Sequence, residues 1–176
     1  MEIYLIRHTT PAIASGICYG QADIEVAESF EEEAKLIRQQ LPTEIICYSS
    51  PLKRCSQLAR HIYPNAMISY ADELKEMHFG EWELQSWDEI PNEPLSEWMK
   101  DFVNVRVPGG ENYLDLYDRT ISFYNHIINK NQSAAIFTHS GNIRSILSYV
   151  NNVALEESFS KFKIGYGEVK VFRGVL

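Results

Sequence analysis

Three short apolar runs, each stopping at residues able to do chemistry, constrain this chain more than any other feature. Residues 2–6, EIYLI, run into Arg7 and His8; residues 44–50, EIICYSS, end in Ser49 and Ser50; residues 134–140, AAIFTHS, end in His139 and Ser140. Runs this continuous, rich in β-branched and aromatic residues, are expected of strands covered on both faces. The fold class that follows is α/β, a three-layer α/β/α sandwich with a mostly parallel central sheet. In such a sheet the ligand crevice lies beyond the carboxyl ends of the strands, where Arg7, His8, Ser49, Ser50, Arg54, His139 and Ser140 would converge.

Helical signals follow two of the runs directly. Residues 51–62 place Leu52, Cys55, Leu58 or Ala59, and Ile62 on one face, with Ser50 as the expected N-cap and Pro51 in the first turn. Residues 142–150 carry Ile143, Ile146, Leu147 and Val150 at the same period. After the first run the chain enters a loop, TTPAIASGICYGQAD, before a helix expected from Ser29. There Ser29 and Glu32 have capping-box spacing, and Phe30, Ala34, Ile37 and Leu41 form the stripe to be buried. A longer helix is expected from about Glu111 to Asn129, its inner face carrying Leu114, Tyr117, Ile121, Tyr124 and Ile128. The tail alternates through FSKFKI and EVKVF, which predicts two short strands joined through Gly165 and Gly167.

Between Asp72 and Glu111 the texture changes. This stretch holds all three tryptophans, Trp82, Trp87 and Trp98, with Pro91, Pro94 and Pro108, and residues 77–110 read as a short cap-like insertion. A length of 176 residues, 45% of them apolar, suits one buried core and one domain over 1–176. The net charge of -8 argues against a basic surface for nucleic acid or anionic lipid, yet one or two arginines in a cleft suffice to hold a small anion. Three cysteines, Cys18, Cys47 and Cys55, are odd in number and form no CxxC pair, so neither a disulfide framework nor a zinc knuckle is expected. The first residues lack the basic and long apolar regions of a secretory signal, and no run reaches the ~20 residues of a membrane span. The expectation is a soluble cytoplasmic protein, with monomer and homodimer both open.

The set at the strand ends is two arginines, two histidines and several hydroxyls. It supplies donors and a potential nucleophile for a phosphoryl group, without the carboxylate cluster that magnesium requires, so no metal and no organic cofactor is expected. Five blocks in order, LIRHTTP, SSPLKRCSQLA, ELKEMHFGEWE, VPGGENYLDLYDR and FTHSGNIR, resemble the histidine phosphatase superfamily, the phosphoglycerate-mutase-like fold, over the whole chain. Within it, Arg7 to Pro11 and Gly16 to Asp23 resemble the α-ribazole phosphatase subgroup, whose members remove the 5′-phosphate of α-ribazole phosphate in cobalamin nucleotide-loop assembly.

The resemblance implies a metal-independent hydrolase of small phosphate monoesters that works through a phosphohistidine. His8 matches the nucleophile, which must be neutral at its attacking nitrogen while the other nitrogen donates to a fixed acceptor. Arg7 and Arg54 match the phosphate clamp, and His139 matches the second histidine, a charge stabiliser that donates to a phosphoryl oxygen when protonated. Glu76 matches the general acid; by residue type Glu73, Glu81 and Glu83 compete, with Glu81 and Glu83 read as solvating the cap and Glu73 as surface. Ser140 and Asn142 stand where the family often shows glycine and a small or apolar residue, at the start of a helix whose dipole faces the site.

The sequence departs from the family's RHGExxxN block. Thr9 replaces the glycine, Thr10 the glutamate and Ala14 the asparagine, so a phosphate donor is either absent or supplied by Thr9, Ser15 or the loop from Gly16 to Gly20. Tyr19 and Gly20 are expected on the leaving-group side, Cys18 as a small buried hydrophobe, and Trp82 and Trp87 as candidates to stack on an aromatic ring. The alternative reading is a broad-specificity or protein-directed phosphatase. A mutase would need a longer cap, and a non-catalytic phospholigand binder would have no reason to keep nucleophile and acid together.

Overall fold

The computed structural model describes residues 1–173. Alternate side chains of the apolar runs face opposite ways, and both faces are covered. The five strands are β1 (Glu2–Arg7), β2 (Ile46–Ser49), β3 (Ile68–Tyr70), β4 (Ala134–Thr138) and β5 (Val169–Arg173). They form one sheet in the order β3-β2-β4-β1-β5. β1, β2, β3 and β4 are mutually parallel where they pair, and β5 runs antiparallel along β1.

The helices are α1 (Phe30–Arg38), α2 (Lys53–Ile62), α3 (Asn92–Lys100), α4 (Tyr113–Ile128), α5 (Ser140–Asn151) and the single turn α6 (Ser158–Lys161). On one face of the sheet Ile3, Leu5, Ala134 and Ile136 pack against Ile121, Tyr124 and Ile127 of α4 and Ile143 and Ile146 of α5. On the other, Ile6, Cys47, Ala135 and Phe137 pack against Ala34 and Ile37 of α1 and Cys55, Leu58 and Ile62 of α2. This is the expected α/β/α sandwich.

A third cluster lies outside those layers. Met77, Trp82, Ile90 and Val107 pack with Cys18 from the loop after β1 and with Tyr113 and Leu116 of α4, so the tryptophan-rich stretch covers the carboxyl ends of the strands. Among the described residues no helix is long and apolar enough to cross a membrane.

Several local expectations need correction. The helix after β2 starts at Lys53, without a side-chain cap, because the Ser50 hydroxyl, although it accepts from Leu52 N–H at 3.3 Å, is turned to another partner. Ser29 and Glu32 form no capping box; the Ser29 hydroxyl bonds the Glu33 carboxylate instead. The capping box belongs to α4, where Asn112 and Asp115 satisfy each other's backbone N–H. On α4, Ile121, Tyr124 and Ile128 are buried as expected, with Tyr113, Leu116 and Thr120 buried beside them, and Tyr117 packs half-buried against the core, but Leu114 is exposed. Val150 is likewise exposed at the end of α5. FSKFKI forms no strand: its first residues make α6, and of the two tail strands only β5 is present.

Candidate active site

β1 and β4 are hydrogen-bonded neighbours in register, Arg7 opposite Thr138, which brings His8 and His139 together just beyond the sheet. Their rings meet edge to face with centroids 5.1 Å apart. His8 Nδ1 lies 2.7 Å from the carbonyl of Thr9, so Nδ1–H donates there and Nε2 keeps its lone pair. Burial, then the charge of Arg54, holds the His8 imidazole well below the usual histidine range; the Thr9 carbonyl opposes this and Arg7 adds to it. The neutral form is the one able to attack.

Thr9 is fully buried, and its own hydroxyl has no partner and does not reach the cavity beside His8. Thr10 and Ser15 face a separate hollow on the far side of Tyr19. The structure therefore brings none of these three hydroxyl residues into the cavity that holds His8.

The cavity has a volume of about 260 Å³ and is lined at one end by Arg7, His8, Tyr19 and Arg54. Arg54 is fully buried at the first turn of α2, where a cation is disfavoured by the helix dipole. Its Nη1 and Nη2 donate to the carbonyls of Ala22 and Gly20 at 3.0 and 2.5 Å, and its Nε has no partner. Arg7 donates from Nη1 to the Ile164 carbonyl at 2.6 Å, and its Nε is likewise buried and unpaired. Neither guanidinium forms an ion pair among the described residues, so each has charge and a donor left for an anion.

Two tyrosine rings cover these arginines. Tyr166 lies 3.9 Å from the Arg7 guanidinium and Tyr19 lies 5.4 Å from that of Arg54, and their hydroxyls bond each other at 2.7 Å. Tyr19, expected on the leaving-group side, covers Arg54 instead. Tyr166 was not expected here, because only the turn between Ile164 and β5 brings it over β1.

His139 is completely buried, with Nε2 at 2.9 Å from the Ser50 hydroxyl and 3.5 Å from Cys55 Sγ. Burial, then the charges of Arg54, His8 and Arg7, holds its imidazole well below the usual histidine range. The imidazolium anticipated from sequence thus depends on the arrival of an anion. Cys55 is no second nucleophile: burial pushes its thiol up to about 12, and Cys18, also fully buried, is held at about 12 by burial and by Glu83.

Glu76 lines the middle of the cavity; Glu73, Glu81 and Glu83 do not. Its carboxylate accepts from Gly141 N–H at 3.1 Å, from the Ser140 hydroxyl at 3.3 Å and from Met77 N–H at 3.1 Å. Ser140 is thereby a partner of the acid candidate. A Cβ on Gly141 would lie 2.2 Å from Glu76 Oε1, so the carboxylate occupies space that only glycine leaves. Asn142 turns away from the cavity, donating to Thr120 at 2.9 Å and to the Glu73 carbonyl at 3.3 Å.

Glu83 does not solvate the cap. Its carboxylate accepts four backbone N–H groups, from Gly20, Gln21, Ala22 and Phe79, at 2.8–3.1 Å, and so fixes the loop whose carbonyls hold Arg54. Gly20 is where that loop crosses Met77; a Cβ there would lie 1.8 Å from the Met77 carbonyl oxygen. Gly20 therefore acts through close approach and through its carbonyl.

The far end of the cavity is a wall of Phe79, Trp87, Trp98, Phe102, Tyr113 and Phe159, with Trp87 and Trp98 nearly parallel at 6.2 Å. Trp82 is packed inside the cap and does not reach it. Arg144, one helical turn beyond Ser140 and unassigned by the sequence reading, enters this wall with its guanidinium 4.4 Å from the Phe159 ring and Nε on the Phe162 carbonyl at 3.0 Å.

Comparison with known proteins places the chain in a family. Over 153 residues the chain is 26% identical to the adenosylcobalamin/α-ribazole phosphatase of Salmonella typhimurium, covering 80% of this chain and 75% of that one. It is 28% identical over 125 residues to a probable phosphoglycerate mutase, GpmB, of Photorhabdus laumondii, covering 66% of this chain and 58% of that one. The crystal structure of the α-ribazole phosphatase from Shigella flexneri superposes with a TM-score of 0.88 at 22% identity, covering 97% of this chain and 89% of that one, which establishes likeness of fold. The sequence profile of the histidine phosphatase superfamily (branch 1) matches residues 3–174, nearly the full length, and the chain belongs to that superfamily.

Proposed function

We propose that this protein hydrolyses phosphate monoesters through a phosphohistidine on His8, with α-ribazole 5′-phosphate as its substrate. The observation that carries the reading is the His8 ring, locked by Nδ1–H on the Thr9 carbonyl with Nε2 free, beside the buried Arg54 and the half-buried Arg7, neither of which forms an ion pair among the described residues. In the first step Nε2 attacks phosphorus, the bond to the ester oxygen breaks, and protonated Glu76 gives its proton to that oxygen. In the second, the Glu76 carboxylate takes a proton from water as the oxygen attacks phosphorus; the N–P bond breaks, releasing inorganic phosphate and neutral His8. Arg7 and Arg54 hold the equatorial oxygens through both steps, and His139 becomes a charged donor as the dianion enters.

The aromatic wall beyond Glu76 supports a leaving group with a flat aromatic body, and two relatives bearing the name α-ribazole phosphatase support the particular ester. A second reading, hydrolysis of esters whose leaving group carries a carboxylate, is favoured by Arg144, which forms no ion pair among the described residues and faces the same cavity.

The test compares kcat/KM for α-ribazole 5′-phosphate, phosphoserine, 3-phosphoglycerate, sugar phosphates and nucleotides, with and without EDTA. The expected result is preference for the first by at least about tenfold, a difference of ~1.4 kcal/mol, with activity indifferent to EDTA. Preference for phosphoserine or 3-phosphoglycerate would transfer the substrate to the second reading. Rapid quench with labelled ester should place an acid-labile, base-stable label on His8; label on a serine or cysteine would overturn the mechanism.

A further inference from the structure

We infer that Arg119 is the positioning residue for Glu76, holding the acid at the ester oxygen by fixing the peptide units around it; this rests on the reading of Glu76 as general acid. The segment that carries Glu76 has no ladder of its own. It lies between two short 3₁₀ turns, Asp72–Leu74 and Gly80–Trp82, and belongs to neither helix nor strand. Backbone groups in such a stretch need outside partners, and without them the side chain inherits the mobility of the loop.

Arg119 supplies those partners from α4. Its Nη1 donates to the carbonyls of Glu73 and Lys75 at 2.8 and 2.6 Å, and its Nη2 donates to the carbonyl of Glu76 itself at 2.9 Å. The two remaining N–H groups, on Nε and Nη2, make a bidentate pair with the Glu111 carboxylate at 2.9 Å each. All five guanidinium donors are used. Glu111 extends the clamp, since its Oε2 also accepts from His78 N–H at 2.9 Å, on the other side of the acid. One ion pair therefore grips the chain before, at and after Glu76. Arg119 does not line the cavity; apart from its grip on the Glu76 segment it reaches the site only through its charge, which also helps depress His139 and which a lysine retains.

Geometry and charge can be separated here. Lysine keeps the charge but has a compact ammonium with three donors and no planar fork, so it cannot make the five bonds. The test measures kcat/KM for ribose 5-phosphate, whose alkoxide needs a proton to leave, and for p-nitrophenyl phosphate, whose phenolate does not. R119K, E76Q and the double variant R119K/E76Q are compared with the wild type, and E111Q provides the same comparison from the other side of the pair if R119K cannot be purified folded. R119K should lower kcat/KM for ribose 5-phosphate by about 10- to 100-fold, as expected for displacement of an acid by a fraction of an ångström to an ångström, and for p-nitrophenyl phosphate by less than about threefold. Added to E76Q, it should cost less than about threefold more with ribose 5-phosphate, because the group it positions is already gone.

An arginine that only supported folding would scale both esters alike. Equal losses on the two esters, or full additivity with E76Q, would overturn the inference. The acid reading falls separately: E76Q without leaving-group selectivity removes Glu76 from its role, whereas a selective E76Q beside an unselective R119K removes only Arg119.

Discussion

Replacing Gly141 by alanine should damage the reaction far more than the fold. The new Cβ would lie 2.2 Å from Glu76 Oε1, 3.2 Å from its Cδ and 2.7 Å from Leu116 Cδ2. Gly141 lies in α5 outside the left-handed region, so the backbone accepts alanine without strain. What must yield is the end of a flexible side chain, and reaching ordinary contact requires the Glu76 carboxylate to retreat by roughly 1 Å. Alanine gains about 1 kcal/mol in helix propensity, while crowding costs about 1–3 kcal/mol, so net stability should fall by no more than ~2 kcal/mol, or at most about 8 °C in Tm. A 1 Å misplacement of an acid can cost about 10²-fold. The G141A variant should therefore melt near the wild type and lose ~10²-fold in kcat/KM with ribose 5-phosphate, but less than about threefold with p-nitrophenyl phosphate. Thermal melts and the two steady-state rates decide it. Wild-type activity toward ribose 5-phosphate, or equal losses on both esters, would show that the Glu76 carboxylate is not held against Gly141 for proton transfer.

Because burial depresses both His8 and His139, the unfolded chain binds more protons once the pH drops below about 6.5, and stability should be intact above that value and decline as pH falls toward the folded values. Urea unfolding from pH 7.5 to 5.5 should show the decline, up to ~1.4 kcal/mol per pH unit for each histidine, with a shallower slope in H139N; parallel slopes would contradict it. E83Q places an amide N–H₂ against part of the four-donor cluster, and should lower Tm and raise KM as the loop bearing the Arg54 acceptors loosens; an unchanged KM would separate that loop from phosphate binding. Burial pushes Cys47 up to about 11 and Cys18 and Cys55 up to about 12, so iodoacetamide at pH 8 should leave the native protein unmodified and label all three cysteines after unfolding.

What the sequence made legible is what one residue's neighbours decide. β1, β2 and β4 were readable because strands buried on both faces must be apolar throughout, and the reactive residues at their ends follow from where such strands stop. β3 was missed because it is an edge strand of three residues, ISY, with none of them buried. FSKFKI misled for the opposite reason: its alternation reflects Phe159 against Arg144 and Phe102, and Phe162 packed onto the core beneath α4 and α5, contacts that do not require a strand. On α4 the departure is confined to the first turn after the Asn112 cap, where Leu114 is exposed and Tyr113 turns inward, while Ile121, Tyr124 and Ile128 lie on the face the period predicts. In the site, His8, Arg7, Arg54, His139 and Glu76 could be named from short motifs. Glu83, Arg119, Arg144 and Tyr166 could not, since each gains its role from residues 18 to 159 positions away along the chain. Charged side chains in loops and on helix surfaces look solvated until the partner's position is known.

The sheet order has a consequence for how the protein is made. β4 lies between β1 and β2, although it leaves the ribosome after both and after the whole cap. A nascent chain that has not yet reached residue 134 carries Arg7, His8, Arg54 and Glu76, but β1 and β2 then have no strand between them and each exposes an unpaired inner edge. Vectorial folding from the N-terminus is therefore closed to this chain beyond local helices and the β2–β3 pair, and the central sheet must assemble late, across long sequence separations. Translation halted before β4 should yield material that depends on chaperones and has no activity, and the rate of folding should be set by the insertion of residues 134–138 into a gap already bounded on both sides.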